Sequence, residues 1–261
     1  MEVMYIANKG FLIEVSNKKI LIDALFGRFE ADWCDIPAGE IIEKMEKGTK
    51  PFDQVDVILI SHAHIDHFNA EIVLNHLGNN EAAILICPRQ VMQELEKDER
   101  YKQFSSRVME ITPEYEIGSQ TIDLKGVSIK VWRLAHSSYY IESEETKQKY
   151  NKHENVQNLG FTIKIDHKKI FHGGDWAYDG VGGKTNPLEE EEIDLAFLSG
   201  GTYLRLNDPD NRIIDESKKP KNIVLSIPPT VHLEDLTEEE QKIISATTVF
   251  KSQMEIKCFD E

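Results

Sequence analysis

Cysteine is scarce in this chain, and the little it has cannot cross-link it. Cys34, Cys87 and Cys258 are the only three in 261 residues, and no CxxC pair occurs. An odd, widely spaced set excludes a disulfide scaffold and a zinc ribbon. Free thiols suit a reducing compartment, so a cytoplasmic protein is expected. Long apolar runs are also missing. None approaches the ~20 residues needed to cross a bilayer, and residues 1–10 lack the basic-then-apolar pattern of a secretory leader. There is no internal repeat and no low-complexity segment. Positive charge is in deficit, with 30 Lys and Arg against 46 Asp and Glu, a net charge of −16. Such a surface repels phosphate backbones at long range, which disfavours nucleic acid and anionic membranes as partners. A bound metal would reverse the local field, so a small phosphorylated substrate stays admissible. The expected partner is a small-molecule substrate, and a homo-oligomer is not excluded.

What remains is an ordinary globular composition, 40% apolar and 29% charged. Residues 3–7, 11–15 and 19–23 read as strands, separated by turn signals at Asn8-Lys9-Gly10 and Ser16-Asn17. Turns this tight imply an antiparallel meander. The runs Leu12-Ile13 and Ile20-Leu21-Ile22 are continuous rather than alternating, which suggests strands covered on both faces. Helices are expected at 40–47, at 70–77 with Gly78 as the stop, and at 89–98. Buried strands are expected at 56–60 and 83–87, with further strands at 108–111, 121–124 and 127–134. Residues 139–157 are polar and without sustained period. Strands resume at 161–166, 169–172, 194–198 and 222–227, and Thr237 with Glu240 has capping-box spacing for a helix to about 246. This order is not the regular alternation of a doubly wound sheet. It suggests sheets and helices layered in one domain over residues 1–261, an α+β protein.

One segment carries chemistry. Ser61-His62-Ala63-His64-Ile65-Asp66-His67 follows a buried strand and packs three imidazoles and a carboxylate into six positions. Protonated imidazoles this close would repel, and neutral ones would each need a partner. A divalent cation meets both demands by accepting a lone pair from each ring. On extended backbone His62 and His64 point the same way and can share one ion, while Asp66 and His67, after a turn, can serve another.

The HxHxDH pattern of His62, His64, Asp66 and His67 resembles the signature of the metallo-β-lactamase superfamily. That resemblance implies a four-layer αββα sandwich. It extends to His136 as the third histidine, to Asp175 after a strand and glycines as a bridging aspartate, and to His232 as a last histidine. It implies one metal on His62, His64 and His136, a second on Asp66, His67 and His232, and Asp175 between them. It further implies a binuclear hydrolase using a metal-bound hydroxide on a small ester, lactone or related substrate. Zinc is the expected metal, with manganese as the alternative. Asp66 would hold the nucleophile's proton, Asp23 would support the ligands, and His153 is a general-acid candidate if residues 139–157 fold over the site. His-Ser after the third histidine and the segment around Asp175 look most like the branch of ascorbate-6-phosphate lactonase-like and N-acylphosphatidylethanolamine phospholipase D-like proteins, although Trp176 departs from the small residue common there. The alternatives are a phosphodiesterase or nuclease using the same two metals, and a non-catalytic metal-binding protein. Gly180-Val181-Gly182-Gly183-Lys184 lacks phosphate-loop spacing and reads as a connection.

Overall fold

A computed structural model of the chain describes residues 1–115, 118–144, 146–177, 186–190, 192–207 and 216–259. The first half builds one sheet from β1 (Glu2–Ala7), β2 (Gly10–Val15), β3 (Lys18–Ile22), β4 (Val57–Leu59), β5 (Ile84–Cys87) and β6 (Val108–Glu110). Helices α1 (Gly39–Glu46), α2 (Ala70–Asn79), α3 (Arg89–Leu95) and α4 (Tyr101–Phe104) connect its later strands. The second sheet takes β7 (Ser119–Leu124), β8 (Val127–Leu134), β11 (Asn158–Ile165), β12 (Lys168–His172), β13 (Leu195–Ser199) and β14 (Asn222–Ser226). A separate hairpin, β9 (Tyr140–Glu142) with β10 (Lys149–Asn151), lies between β8 and β11. Helices α5 (Pro187–Glu190), α6 (Gly200–Leu206) and α7 (Glu238–Ser245) accompany the second sheet, and β15 (Ile256–Cys258) returns to the first, beside β1.

The expected meander is present: β1, β2 and β3 pair antiparallel, and β3 through β6 then run parallel. The second sheet mirrors this, antiparallel from β7 to β12 and parallel from β12 to β14. Side chains explain the continuous apolar runs. Along β3, Ile20 and Ile22 point into the layer between the sheets, while Leu21 points into the layer under α1–α3. Along β13, Leu195 and Phe197 face the first sheet, and Ala196 and Leu198 face α6 and α7. Three apolar layers therefore separate helices, sheet, sheet and helices, the αββα order.

Local chemistry sets several boundaries. Asn69 caps α2 by accepting from the Ile72 N–H, and the Thr237–Glu240 capping box opens α7 as its spacing predicts. Gly78 does not end α2, which runs to Asn79, because Leu77 and Val73 are packed in the core and hold the last turn. The hairpin β9–β10 was not predicted. Its residues are largely exposed, so they lack the apolar period that marks a strand.

Candidate metal centre

The ends of several strands meet at one edge of the sandwich. Asp23 follows β3, Ser61 and His62 follow β4, His136 follows β8, and Asp175 follows β12. The turn between β1 and β2 brings Asn8 and Lys9 to the same place. Two donor groups form there. His62, His64, His136 and Asp175 make one, and Asp66, His67 and Asp175 make the other, with donor atoms in each group within 4.8 Å of one another.

In the first group, His62 Nε2 lies 3.0 Å from His64 Nδ1 and 3.3 Å from His136 Nε2. Asp175 Oδ2 is 3.4 Å from His136 Nε2 and 3.9 Å from His62 Nε2. Donors around a tetrahedral ion with bonds of ~2.0–2.1 Å stand ~3.3 Å apart, so the set fits a divalent ion such as zinc. On three of the histidines the other ring nitrogen is already committed. His62 Nδ1 meets Ser61 Oγ at 2.9 Å, His136 Nδ1 donates to the Ser137 carbonyl at 2.8 Å, and His67 Nδ1 donates to Asp23 Oδ2 at 2.9 Å. Each bond turns the opposite nitrogen inward, the arrangement that orients metal-bound histidines.

His67 Nε2 is the orphan of the second group. It is buried without a hydrogen-bond partner, 3.5 Å from Asp66 Oδ2 and 3.4 Å from Asp175 Oδ1. Electrostatics mark both positions as attractive to cations. Burial lowers the His62 pKa well below its ordinary value, with His67 repelling a second proton. Burial and the neighbouring His136 and His153 push His64 down to about 3. Burial also resists charge on His67, yet Asp175, Asp66 and Asp23 outweigh it and raise its pKa well above normal. Asp175 is held well below the carboxylate range: burial opposes ionisation, but Lys9 and His67 overcome it.

Asp23 is completely buried and works as a clamp. Its Oδ1 accepts from the Ser61 N–H at 2.7 Å, and its Oδ2 accepts from Ser61 Oγ at 2.6 Å and from His67 Nδ1. Asp66 is held from the other side, its Oδ2 accepting from Asn8 Nδ2 at 3.0 Å. The segment after His136 does fold back. His153 lies with its ring centre 4.8 Å from that of His64 and 4.5 Å from that of His136, tied by its Nδ1 to the Ser137 carbonyl at 2.9 Å.

His232 is not brought in. It is exposed at the start of a short turn, Leu233–Asp235, and belongs to neither donor group. Its likeness to a last histidine therefore rests on sequence order. The residues sequence reasoning missed are Asn8, Lys9 and Asn158. Asn158 is buried and holds the loop after β12, donating to the Gly173 carbonyl at 3.1 Å and accepting from the Asp175 N–H at 3.0 Å. Their one available signal was a polar residue at a strand end, which is equally the signal for a turn. The Gly180–Lys184 stretch falls outside the described residues.

A cleft of about 550 Å³ opens on the centre, lined by Asp66, Asp175, Trp33, Ser138, Tyr140 and Arg205 among others. An αββα sandwich with histidine and aspartate donors converging at the strand ends is the setting of a metal-dependent enzyme. The family model described as the beta-lactamase superfamily domain matches residues 18–217, and the chain belongs to the metallo-β-lactamase superfamily. It is similar to a UPF0173 metal-dependent hydrolase of Pelotomaculum thermopropionicum, 27% identical over 234 residues that span 86% of this chain and 82% of that one. Its fold resembles that of Igni18, a metallo hydrolase from Ignicoccus hospitalis, with a TM-score of 0.59 at 16% identity over 99% of both chains. It also resembles the isothiocyanate hydrolase from Delia radicum gut bacteria, with a TM-score of 0.57 at 16% identity over 99% of both chains.

Proposed function

We propose that the chain hydrolyses a small ester, lactone or related carbonyl substrate in the cleft beside Asp175. The observation that carries this is the four-donor group of His62, His64, His136 and Asp175, preoriented by hydrogen bonds and open to a cleft of small-molecule size. His62, His64, His136 and Asp175 would hold a divalent ion, zinc by preference and manganese as the alternative, which would supply Lewis acidity. Asp66 would hold the proton of the attacking water, and the Asn8 hydrogen bond that orients its carboxylate supports this role. His153 would protonate the leaving group, a role supported by its ring lying beside those of His64 and His136. Arg205 on the cleft wall offers a guanidinium to an acidic group on the substrate. The three-donor group of Asp66, His67 and Asp175 is where any second ion would have to sit, and without His232 it offers one donor fewer than the first group. The unpaired Cys34 and Cys87, both buried, support a cytoplasmic setting.

The test is an activity and metal panel. Protein reconstituted with zinc or manganese is expected to turn over carbonyl reporters, such as aryl esters and simple lactones, faster than a bis-aryl phosphodiester. His64→Ala and Asp175→Ala should lose metal content and activity together, by more than the ~100-fold that loss of a supporting hydrogen bond costs. His232→Ala should keep wild-type metal content. Turnover confined to the phosphodiester would establish the phosphodiesterase reading instead, and metal retention in Asp175→Ala would remove that residue from the centre.

A further inference from the structure

The two oxygens of Asp175 face different neighbours. Oδ2 looks into the four-donor group, towards His136 and His62. Oδ1 looks towards His67 Nε2 and is the oxygen a second ion would need. It already has a cationic partner, because Lys9 Nζ forms an ion pair with it and also donates to the Gly174 carbonyl at 3.0 Å. The Lys9 and Asp175 side chains are only 13% and 18% exposed, so water does little to weaken the contact.

The next residue back acts on the same group. Asn8 Nδ2 donates to Asp66 Oδ2 and, at 3.1 Å, to the Asp66 carbonyl. Two of the three second-group donors are thereby engaged by consecutive residues of one turn, and His67 Nε2 alone is unpartnered. The turn is fixed rather than incidental. Buried His172 donates from Nε2 to the Lys9 carbonyl at 3.0 Å, and its Nδ1 accepts from the Gly174 N–H at 3.1 Å. One imidazole therefore ties the backbone that carries Lys9 to the backbone that carries Asp175. Next to Lys9, a Cβ at Gly10 would lie 2.8 Å from the Asp23 carbonyl and 2.9 Å from Ala24 Cα, so the turn is seated against the centre too closely for a larger residue.

We propose that Lys9 is a built-in cation at the second position, so that the chain carries one divalent ion and a second binds only by displacing the Lys9 ammonium. This rests on the reading that the four-donor group holds an ion. A monovalent ammonium on a fixed turn neutralises the outward charge of Asp175 and keeps its Oδ2 aimed at the first group. A divalent ion placed between Oδ1 and His67 would meet that ammonium at close range and be repelled by it. The exposed placement of His232 agrees, since a position filled by Lys9 has no use for a fourth donor.

The experiment is a cobalt titration of chelator-treated protein, followed by absorption spectroscopy and by elemental analysis after gel filtration. Wild-type protein should saturate at one equivalent. Lys9→Met, which keeps the length and removes the charge, should saturate at two, with a second spectral phase. Lys9→Gln, which can still hydrogen-bond Gly174, should behave like Lys9→Met. Two tightly held equivalents in the wild type would overturn the proposal while leaving the four-donor reading intact. Persistence of a single equivalent in both variants would likewise overturn it. Failure of the wild type to bind any cobalt would overturn the underlying reading as well, and loss of the single equivalent in His64→Ala would assign it to the four-donor group.

Discussion

Asp23 touches the Ser61 backbone, the Ser61 hydroxyl and His67 at once, and so transmits the position of β3 to the metal-donor loop. Its supporting role was readable because an acidic residue closes a buried strand just where the family likeness places one. Lys9 was not readable in the same way. Its partner Asp175 is 166 residues distant, and Asn8-Lys9-Gly10 carries a turn signal that accounts for the sequence without any site. A further residue-scale consequence lies outside the centre. His76 is buried in α2, with Nδ1 bonded to the Met45 carbonyl at 2.6 Å and Nε2 without a partner. Burial pushes its pKa down to about 4, only partly offset by the Met45 bond. Above about pH 6.5 the ring is neutral folded or unfolded, and its full contribution is present. As pH falls below that, the unfolded chain takes up a proton that the folded chain refuses, so stability declines until about pH 4. The loss attributable to this ring between pH 7 and pH 4.5 should be about 2–3 kcal/mol. Urea denaturation of wild type and His76→Gln at both pH values measures it, with the variant showing the shallower decline. Parallel pH profiles would show that His76 does not titrate as described.

At the scale of elements, the centre exists because strands end together. The HxHxDH segment was legible because its donors are local. His136 and Asp175 were named through the family resemblance, and each does follow an apolar strand. His153 could only be named conditionally, since its approach depends on the β9–β10 hairpin, whose exposed residues give no periodic signal. The loop after β12 shows how tightly an element end is specified. Gly174 has φ of +57°, and a Cβ there would collide with Asn158 Oδ1 and lie 2.6 Å from Ser61 Cβ. Asn158 is the residue that receives the Asp175 N–H, so the collision would fall on the support of a metal donor. Gly174→Ala should therefore cost about 2–5 kcal/mol, combining left-handed backbone strain with overpacking. It should also weaken metal retention. Thermal melting with and without added zinc checks both effects, and a wild-type melting temperature would contradict the packing described.

Over the whole molecule, the αββα order follows from two sheets whose strands are apolar on both faces; the continuous runs of β2 and β3 suggested such two-sided cover, and the layer order itself was expected from the family resemblance. The net charge of −16 sits around a centre that concentrates Asp23, Asp66 and Asp175. Such a field favours a cation at the strand ends and small substrates over long polyanions. The central claim is that the ends of β4, β8 and β12 converge to hold a divalent ion. Anomalous X-ray diffraction from zinc-grown crystals tests it directly. The predicted result is a zinc peak at ~2.0–2.2 Å from His62 Nε2, His64 Nδ1, His136 Nε2 and Asp175 Oδ2. A map without a peak among those four atoms, from protein that still hydrolyses its substrate, would contradict the account.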